Sequence, residues 1–249
     1  MPKLRLDERL LELQLADSIR RAASEILSAN VLVNDRLVTT VGALVDRSDH
    51  IRLKKTRIPY VSRGGMKLAG AHCAFNFLIH NRVCIDIGQS TGGFTDYLLQ
   101  HGARSVLGID VGYGLLAHAI RRNPAVHLLE RFNVKEFSYD AYPESFTLKD
   151  KVSLVVIDVS FISIVRVLSA CLFLPMDTEF ICLIKPQFES KKDEIPPGGV
   201  ITDPTLHATI LERTVDRITA LGYTVNKQTP SPILGAKGNK EFFFYLKRN

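Results

Sequence analysis

Two charged residues follow apolar stretches that are typical of buried strands. Asp158 comes directly after residues 152–157, and Lys185 comes directly after residues 180–184. Because the carboxyl ends of parallel strands meet at one edge of a sheet, the two side chains are expected to lie together. A lysine in a dry site or beside a second cation can act as a base, and a neighbouring carboxylate can orient it. The alternative is that both groups are merely solvated at strand ends.

A glycine-rich turn, residues 88–96, follows the apolar stretch 83–87. Glycines at a strand-to-helix turn let a ligand approach the backbone. The turn has neither the Gly-x-Gly-x-x-Gly pattern of dinucleotide sites nor the Gly-Lys-Ser/Thr of a P-loop, so neither NAD nor ATP is favoured. Asp110 closes the next apolar stretch, 24 positions after Asp86. A carboxylate there can accept hydrogen bonds from an adenosine ribose.

Structural roles for the same residues stay open beside ligand binding. Gly92-Gly93 also fits tight packing of a helix on a strand, and Asp110 also fits a cap before Gly112. Asn133 is a candidate contact for adenine, and capping accounts for it equally well. Phe94 and Phe161 are predicted to be core residues rather than platforms on which bases stack.

The residues that carry chemistry lie within alternating strand and helix patterns. Strands are predicted at residues 83–87, 105–109, 126–129, 152–157, 180–184, 223–225 and 242–246, with helices ending near 102 and at 115–120, 164–173 and 204–221. Continuous apolar strands that alternate with helices indicate a mostly parallel sheet covered on both faces. The last strand follows a loop and is predicted to be antiparallel. The predicted fold class is α/β, a Rossmann-like sheet with a small α+β domain at the N-terminus.

The basic surplus of the chain is concentrated at its front. The 249 residues carry a formal net charge of +6, and residues 1–57 supply eleven basic against eight acidic side chains. Basic residues, Pro59 and Gly64-Gly65 indicate a loop between domains. The predicted domains are therefore 1–57 and 67–249, with a linker at 58–66. The stretch 186–203, rich in lysine, proline and glycine, is predicted to be a substrate loop or a plain surface loop.

Several classes of protein are disfavoured by composition. A mean hydropathy of +0.07 and the lack of a long uncharged apolar run argue against a membrane span. The N-terminus lacks the apolar segment of a signal peptide, so a cytoplasmic protein is expected. Four scattered cysteines without a Cys-x-x-Cys pair predict neither a disulfide framework nor a metal site. Cys84 and Cys182 are expected to be buried thiols.

The front of the chain resembles a known RNA-binding domain. Apolar residues at helical spacing follow Ser18, a predicted cap, and Asn34-Asp35 separates two short apolar runs as a hairpin turn does. Residues 3–53 resemble the small RNA-binding domain named after a small-subunit ribosomal protein. In that family the arginine-bearing second helix faces the RNA, although Arg20 and Arg21 also fit a solvated helix face. The candidate RNA-binding residues are Lys3, Arg5, Arg20, Arg21 and Arg63.

The whole chain resembles one family through an ordered series of motifs. The motifs lie at residues 62–68, 90–95, 110–114, 158–163, 185–189, 198–200 and 238–241. They closely match the TlyA family, called hemolysin A, whose members resemble ribosomal RNA ribose 2′-O-methyltransferases with an FtsJ-like catalytic domain. This resemblance implies S-adenosylmethionine as cofactor, ribosomal RNA or ribosomal subunits as partner, and a cytidine of the small and in some members the large subunit as target.

The resemblance also implies the site residues. The catalytic set of the FtsJ-like enzymes maps onto Lys67, Asp158, Lys185 and Glu241, with Lys185 as principal base and Lys67 as orienting cation. The implied cofactor-binding set is Asp86, Gly88, Ser90, Thr91, Gly92, Gly93, Phe94, Asp110, Val111, Asn133 and Asp158.

Two alternative functions remain open at this point. The family name hemolysin suggests a membrane-lysing protein, which the missing signal peptide and membrane span disfavour. An RNA-binding module with an inactive methyltransferase fold is suggested by Gln89 alone. The family usually has a small residue at that position, and a bulky side chain there could alter the affinity for the cofactor.

Overall fold

The structure, a computed structural model, describes residues 3–27, 30–53, 58–235 and 237–248. The chain divides into two compact units, Met1–Arg57 and Ile58–Asn249. Residues 54–57, the basic segment directly before the predicted linker, lie outside the described residues. Within the described ranges, no helix is long and apolar enough to cross a membrane.

The smaller unit consists of short helices and two small antiparallel sheets. Its elements are β1 (Leu4–Arg5), α1 (Leu6–Glu12), α2 (Ile19–Leu27), β2 (Val31–Val33), β3 (Arg36–Val38), β4 (Leu44–Val45) and β5 (Ile51–Leu53). Strand β2 pairs with both β3 and β5, and β1 pairs with β4. The predicted pattern of two helices and a hairpin is therefore confirmed.

Both local signals in the smaller unit act as predicted. The Ser18 hydroxyl accepts a hydrogen bond from the Arg21 N–H at 3.2 Å and so caps α2. Asn34 and Asp35 have φ values of 49° and 61° between β2 and β3. Positive φ at both central residues is what a tight two-residue hairpin turn requires.

The two helices of the smaller unit bury one face and expose the other. The buried side chains that form its core include Leu6, Leu10, Ala22, Ile26 and Val31. Arg20 and Arg21 lie on the exposed face of α2, and Arg21 pairs with Glu25 at 2.6 Å. The apolar faces of α1 and α2 therefore hold the unit together and leave Arg20 and Arg21 exposed.

The larger unit is a seven-stranded sheet with helices. Its elements are α3 (Arg63–Phe75), β6 (Val83–Ile87), α4 (Gly93–Gln100), β7 (Ser105–Ile109), α5 (His118–Arg121), β8 (Val126–Leu129), β9 (Val152–Ile157), α6 (Ile164–Ala170), β10 (Glu179–Ile184), α7 (Pro186–Glu189), α8 (Pro204–Thr219), β11 (Tyr223–Pro230) and β12 (Phe242–Arg248). The strand order is β11-β12-β10-β9-β6-β7-β8. Among the described strands of this sheet, β12 alone runs antiparallel to its neighbours, β10 and β11, which confirms the predicted fold class.

Apolar side chains cover both faces of this sheet. Alternate residues point to opposite faces of a strand, so Ile85 packs in one cluster with α6 and α8, while Cys84 packs in another with α3 and α4. Cys84 and Cys182 are buried thiols as predicted, and burial raises the pKa of Cys84 to about 12. With both faces covered, the carboxyl edge of the parallel strands is the part left open for a site.

The predicted linker at 58–66 is wrong in its second half. Residues 63–66 form the first turn of α3, and the Ser62 hydroxyl caps that turn by accepting a hydrogen bond from the Gly64 N–H. A Cβ on Gly65 would overlap the ring of Tyr60. The glycine pair therefore permits close packing at a helix start rather than marking a flexible loop.

The predicted helix at 115–120 is also displaced. Only His118–Arg121 is helical. The side chain of Leu116 packs where a Cβ on Gly92 would lie, and the Ala117 N–H donates to the Thr91 carbonyl at 3.2 Å. Leu116 and Ala117 therefore contact the glycine turn instead of belonging to the helix.

The other predicted helices and strands of the larger unit lie where they were predicted, with shifted ends, whereas the predicted loop at 186–203 begins with a short helix, α7. Helices α6 and α8 end at Ala170 and Thr219, before the predicted ends at 173 and 221. Strand β11 extends to Pro230 rather than to 225, because it pairs with β12 beyond an irregularity at Val225/Lys227. Pairing with a long partner extends a strand that its own polar sequence does not predict.

Candidate active site

Four charged side chains meet at the carboxyl edge of the sheet. Lys185 Nζ lies 2.6 Å from Asp158 Oδ1, and Lys67 Nζ lies 3.9 Å from Asp158 Oδ2. Lys67 also donates a hydrogen bond of 2.5 Å to Glu241 Oε2. Asp158 thus lies between the amino groups of two lysines. Its contact with Lys185 was predicted, because the two residues follow β9 and β10 at the same edge of the sheet.

This cluster is largely withdrawn from solvent. The exposed fractions are 11% for the Lys67 side chain, 10% for Lys185, 21% for Asp158 and 4% for Glu241. Charges in such a setting interact more strongly than in water, so each needs a close partner. Two cations and two carboxylates balance one another here, which holds all four in fixed positions.

Lys67 reaches the cluster because the starts of α3 and α4 pack closely, with glycine backbone and the Ser62 hydroxyl at the contact. Lys67 lies on α3, one turn after its cap. A Cβ on Gly93, at the start of α4, would lie 3.0 Å from Gly64 Cα and 2.9 Å from Gly65 N. The glycines of both helix starts therefore bring α3 close enough for its lysine to reach the strand ends.

Glu241 is positioned by a loop that Asn239 holds in place. Asn239 Oδ1 accepts a hydrogen bond from the Ile201 N–H at 2.9 Å, and Asn239 Nδ2 donates to the Gly199 carbonyl at 2.9 Å. A Cβ on Gly235 would overlap the Glu241 carboxylate. Asn239 was not selected from the sequence, although it lies in the motif at 238–241. Its bonds tie part of the predicted substrate loop, 186–203, to the site.

Ser160 is a second residue that sequence reasoning missed. Lys185 Nζ donates a hydrogen bond of 3.0 Å to Ser160 Oγ. Ser160 follows Asp158 by two positions and lies within the motif at 158–163, and these were the signals available. With Asp158 and Ser160 as partners, the Lys185 amine has a defined orientation.

The glycine turn has the backbone that a close ligand needs. Gly88 and Gly92 have φ values of 84° and 92°, in the left-handed region that favours glycine. The Ser90 N–H donates to Asp110 Oδ2 at 2.7 Å, and the Gly112 N–H donates to Asp110 Oδ1 at 2.7 Å. Asp110 thus fixes the turn by accepting two backbone hydrogen bonds, but it does not cap a helix, because residues 111–117 are not helical.

Two adjoining cavities open at this edge. The first, of about 490 Å³, contains the four charged groups together with Ser62, Arg63 and much of the glycine turn. The second, of about 390 Å³, is lined by Asp110, Val111 and Asn133. They share lining residues, namely Gly88, Ser90, Asp158, Ser160 and Phe161. The two form one elongated space beside a glycine-lined backbone.

This space fits S-adenosylmethionine, a nucleoside that carries a charged amino acid chain. The second cavity offers Asp110 to a ribose and Asn133 to a base, and the first offers the glycine turn to the amino acid end. Asn133 also caps a short turn by accepting a hydrogen bond from the Lys135 N–H at 3.1 Å, and its contact with adenine stays a prediction. Of the predicted cofactor residues, Thr91, Gly93 and Phe94 line the first cavity.

Two of the predicted cofactor residues do not line either cavity. Gly92 packs against Leu116, and Asp86 is buried beneath the turn. Thr95 Oγ1 donates to Asp86 Oδ2 at 2.7 Å, and Gln89 Nε2 donates to Thr95 Oγ1 at 2.8 Å. Burial, with the charges of Asp158 and Asp110 adding to it, raises the pKa of Asp86 to about 7. Asp86 supports the turn from below.

The replacement Asp86→Asn is expected to raise the free energy of unfolding at about pH 8. Because the pKa of Asp86 is raised to about 7 in the folded state, stability of the wild type falls between about pH 4 and pH 7. Asparagine does not ionise, so the difference between the proteins should grow over that range and then stay constant. Urea unfolding across this range measures it, and a difference independent of pH would contradict the account.

Gln89 does not obstruct the cavity in the way that its size suggested. Its side chain is buried and occupies the space above Gly108, where a Cβ would overlap the Gln89 amide. The protein itself thus accommodates the bulky residue. Gln89 therefore no longer supports the alternative of an inactive methyltransferase fold.

The prediction that Phe161 belongs to the core is wrong, whereas Phe94 is buried as predicted. Phe161 is 91% exposed, with φ at 64°, and lines both cavities. Its ring centroid lies 5.0 Å from that of Phe188. The turn after β9 projects beyond the sheet, so the neighbouring Ile164 reaches the core instead.

The predicted RNA-binding residues fall into both units. Arg63 is exposed and lines the first cavity. Lys3, Arg5, Arg20 and Arg21 are exposed on the smaller unit, where Arg5 pairs with Asp7 at 2.8 Å.

Comparison with known proteins identifies the family of the chain. The FtsJ-like methyltransferase family matches residues 60–248. The chain is 38% identical over 244 residues to "Hemolysin A" of Brachyspira hyodysenteriae, which covers 98% of this chain and 99% of that protein. It is also 38% identical over 248 residues to the 16S/23S rRNA (cytidine-2′-O)-methyltransferase TlyA of Mycobacterium tuberculosis, covering 98% and 90%.

Solved structures of other proteins are also similar to this chain. A "putative hemolysin" from Streptococcus thermophilus matches with a TM-score of 0.74 and 34% identity, covering 100% of this chain and 90% of that one. An S-adenosylmethionine-dependent methyltransferase from Mesorhizobium loti, at 15% identity and a TM-score of 0.50, shares the fold over 72% and 96%. The chain therefore belongs to the TlyA family, with an FtsJ-like methyltransferase domain that uses S-adenosylmethionine as methyl donor.

Proposed function

We propose that the chain transfers a methyl group from S-adenosylmethionine to the ribose 2′-hydroxyl of a nucleotide in ribosomal RNA. The observation that carries the proposal is the cluster of Lys67, Asp158, Lys185 and Glu241, which opens into a cavity continuous with the cofactor cavity. A base beside a methyl donor is the arrangement that O-methylation needs, because a hydroxyl must lose its proton as it attacks.

Each charged residue has a separable task in this proposal. The bound cofactor supplies a methyl group activated by its sulfonium. Lys185, oriented by Asp158 and Ser160, releases its own proton to solvent and then, as the neutral amine, takes the proton of the ribose hydroxyl. Asp158 then stabilises the ammonium that forms. Lys67, held by Glu241, presents a cation to the hydroxyl oxygen and orients it for in-line attack.

Recognition of RNA is assigned to both units. The proposed division is an RNA-binding domain at 1–57 and a catalytic domain from residue 58 on, whose first helix begins at Arg63. Lys3, Arg5, Arg20 and Arg21 would meet phosphates from the first domain, and Arg63 would do so at the rim of the first cavity. Exposed arginine and lysine on the smaller unit support this assignment, since phosphate contacts supply much of the affinity for RNA.

The target nucleotide is proposed to be a cytidine. The relative from Mycobacterium tuberculosis is named for cytidine 2′-O-methylation of 16S and 23S rRNA. We extend this to the small-subunit RNA and, as a second target, the large-subunit RNA of this protein's ribosomes. Ribosomal subunits would then be the physical partner, and the enzyme would work in the cytoplasm.

Phe161 is proposed to stack on a base that enters the site. The replacement Phe161→Gly is expected to lower kcat/KM for RNA by about tenfold to a hundredfold, because stacking of a base on an aromatic ring is worth about 1–3 kcal/mol. The free energy of unfolding should not fall, because glycine relieves the left-handed φ. Methyl transfer and urea unfolding measure both, with Phe161→Tyr as the control that retains activity. Unchanged kcat/KM in Phe161→Gly would remove this role.

Methyl transfer from labelled S-adenosylmethionine to isolated ribosomal subunits tests the proposed function. Small and large subunits are taken from a bacterial strain that lacks a TlyA-type enzyme. Incorporation into subunit RNA supports the proposal. No incorporation into either subunit, from protein that binds the cofactor, would overturn it. Lysis of red cells by protein without S-adenosylmethionine would favour the membrane-lysing alternative.

A further inference from the structure

A third cavity, of about 480 Å³, adjoins the site and has no task in the mechanism above. It shares Phe161 with both cavities already described, Phe188 with the first, and Lys135 and Ile162 with the second. Its mouth therefore lies beside the exposed aromatic ring at the entrance to the active site. A ligand that fills the active site and extends past this ring would reach the third cavity.

Three cations line this cavity. They are Lys135, Arg166 and Arg217, and all three residues are exposed. Within the described part of the chain, neither Lys135 nor Arg166 has an ion pair. Their charges are therefore available to a ligand.

The one carboxylate among the described lining residues is already engaged by the protein. Glu189 is buried, and its oxygens accept hydrogen bonds of 2.7 Å from the Ile164 N–H and from Ser163 Oγ. Arg217 lies 3.5 Å from Glu189 at the edge of this group and donates to Ser163 Oγ at 3.1 Å. The carboxylate anchors the start of α6 and one arginine, and the cavity keeps a surplus of positive charge.

We infer that the third cavity binds a phosphodiester group of the RNA strand next to the target nucleotide. Guanidinium groups match phosphate oxygens in pairs of hydrogen bonds, which favours phosphate over a less strongly charged group. A basic groove beside an exposed aromatic ring is also the combination that holds single-stranded nucleic acid. This inference rests on the proposed function, since it takes the RNA strand to lie across the mouth of the active site.

The test compares two pairs of arginine replacements in the full chain. The variant Arg166→Ala/Arg217→Gln removes two cations from the third cavity and none from the cofactor cavity. The control Arg104→Ala/Arg122→Gln removes the same charge outside the three cavities: Arg104 precedes β7 and Arg122 follows α5. Both proteins are compared with the wild type for binding to isolated ribosomal subunits at several salt concentrations and for methyl transfer.

The cavity variant is expected to bind subunits about tenfold more weakly, with its salt slope reduced by about 0.7 for each lost phosphate contact. KM for subunits should rise by the same factor, whereas kcat and the affinity for S-adenosylmethionine stay at their wild-type values. The control should show a smaller change in affinity. If the double variant does not fold, Arg166→Ala alone gives the same test with one lost contact.

Equal binding by the cavity variant and the control would overturn the inference. So would tight binding of inorganic phosphate to the wild type that the variant loses while its affinity for subunits is unchanged, because the cavity would then be a site for free phosphate. Failure of the proposed function is a different outcome, in which the wild type binds subunits and cofactor yet transfers no methyl group.

Discussion

The replacement Lys185→Met is expected to lower kcat for methyl transfer by about a thousandfold or more, which is the scale of a lost general base. Binding of S-adenosylmethionine should remain, because Lys185 does not line the second cavity, which is assigned to the nucleoside of the cofactor. The fold should also remain, since Asp158 keeps Lys67 at 3.9 Å and is not left as an unpaired charge. Single-turnover methylation of subunits and calorimetric titration of the cofactor measure the two effects.

The matched control is Lys151→Met, an exposed lysine directly before β9. It removes the same charge from the opposite edge of the sheet and should retain wild-type kcat. If Lys185→Met also retained wild-type kcat, Lys185 would not be the base. If it lost affinity for the cofactor to the same degree as activity, Lys185 would contribute to cofactor binding rather than to proton removal.

The replacement Gly88→Ala is expected to abolish cofactor binding and to destabilise the protein by about 3 kcal/mol. A Cβ at this position would overlap the carbonyl oxygen of Asp158, and the φ of 84° is itself costly for alanine. The added methyl group would thus move the turn away from the strand that carries a charged residue of the site. The expected fall in Tm is about 6 to 12 °C for a chain of this size.

Gly222→Ala separates the two contributions to this effect. Gly222 has a similar φ, 87°, but no atom lies within 4 Å of the position that a Cβ would take there. It should lose only the backbone contribution, about 1–2 kcal/mol, and should methylate normally. Thermal unfolding and titration of S-adenosylmethionine on both variants test the pair. Cofactor binding by Gly88→Ala at the wild-type level would show that the turn does not hold the cofactor.

The part of the site that the sequence predicts from local rules is the part built on strand ends. Asp158, Lys185 and Asp110 each follow an apolar stretch, and the topology of a parallel sheet brings such positions to one edge. No distant contact has to be known. The structure accordingly places Asp158 beside Lys185 and Asp110 beside the glycine turn.

The other two charged residues could not be placed from their own surroundings. Lys67 and Glu241 are 174 positions apart, and their contact depends on glycines that let α3 approach and on the loop held by Asn239. Only the resemblance to a family pointed to them. Periodicity describes which face of an element is buried, and it does not describe how closely two elements approach.

Predictions from the sequence were wrong for residues whose type suggests an environment opposite to the one that they occupy. Phe161 is apolar yet exposed, because it lies in a turn beyond the sheet. Gln89 is polar yet buried, because Gly108 leaves room for it and Thr95 bonds its amide. Gly64 and Gly65 suggested a loop yet start a helix. Each of these differences was decided by packing that local patterns do not describe.

The position of the methyl group on the product tests the central claim most directly. Subunit RNA methylated by the wild type is digested to nucleosides and analysed by mass spectrometry, with fragments mapped to their place in the sequence. The account predicts 2′-O-methylcytidine at a defined position, and none with Lys185→Met. A methyl group on a base, or unmodified RNA from protein that binds both cofactor and subunits, would contradict it.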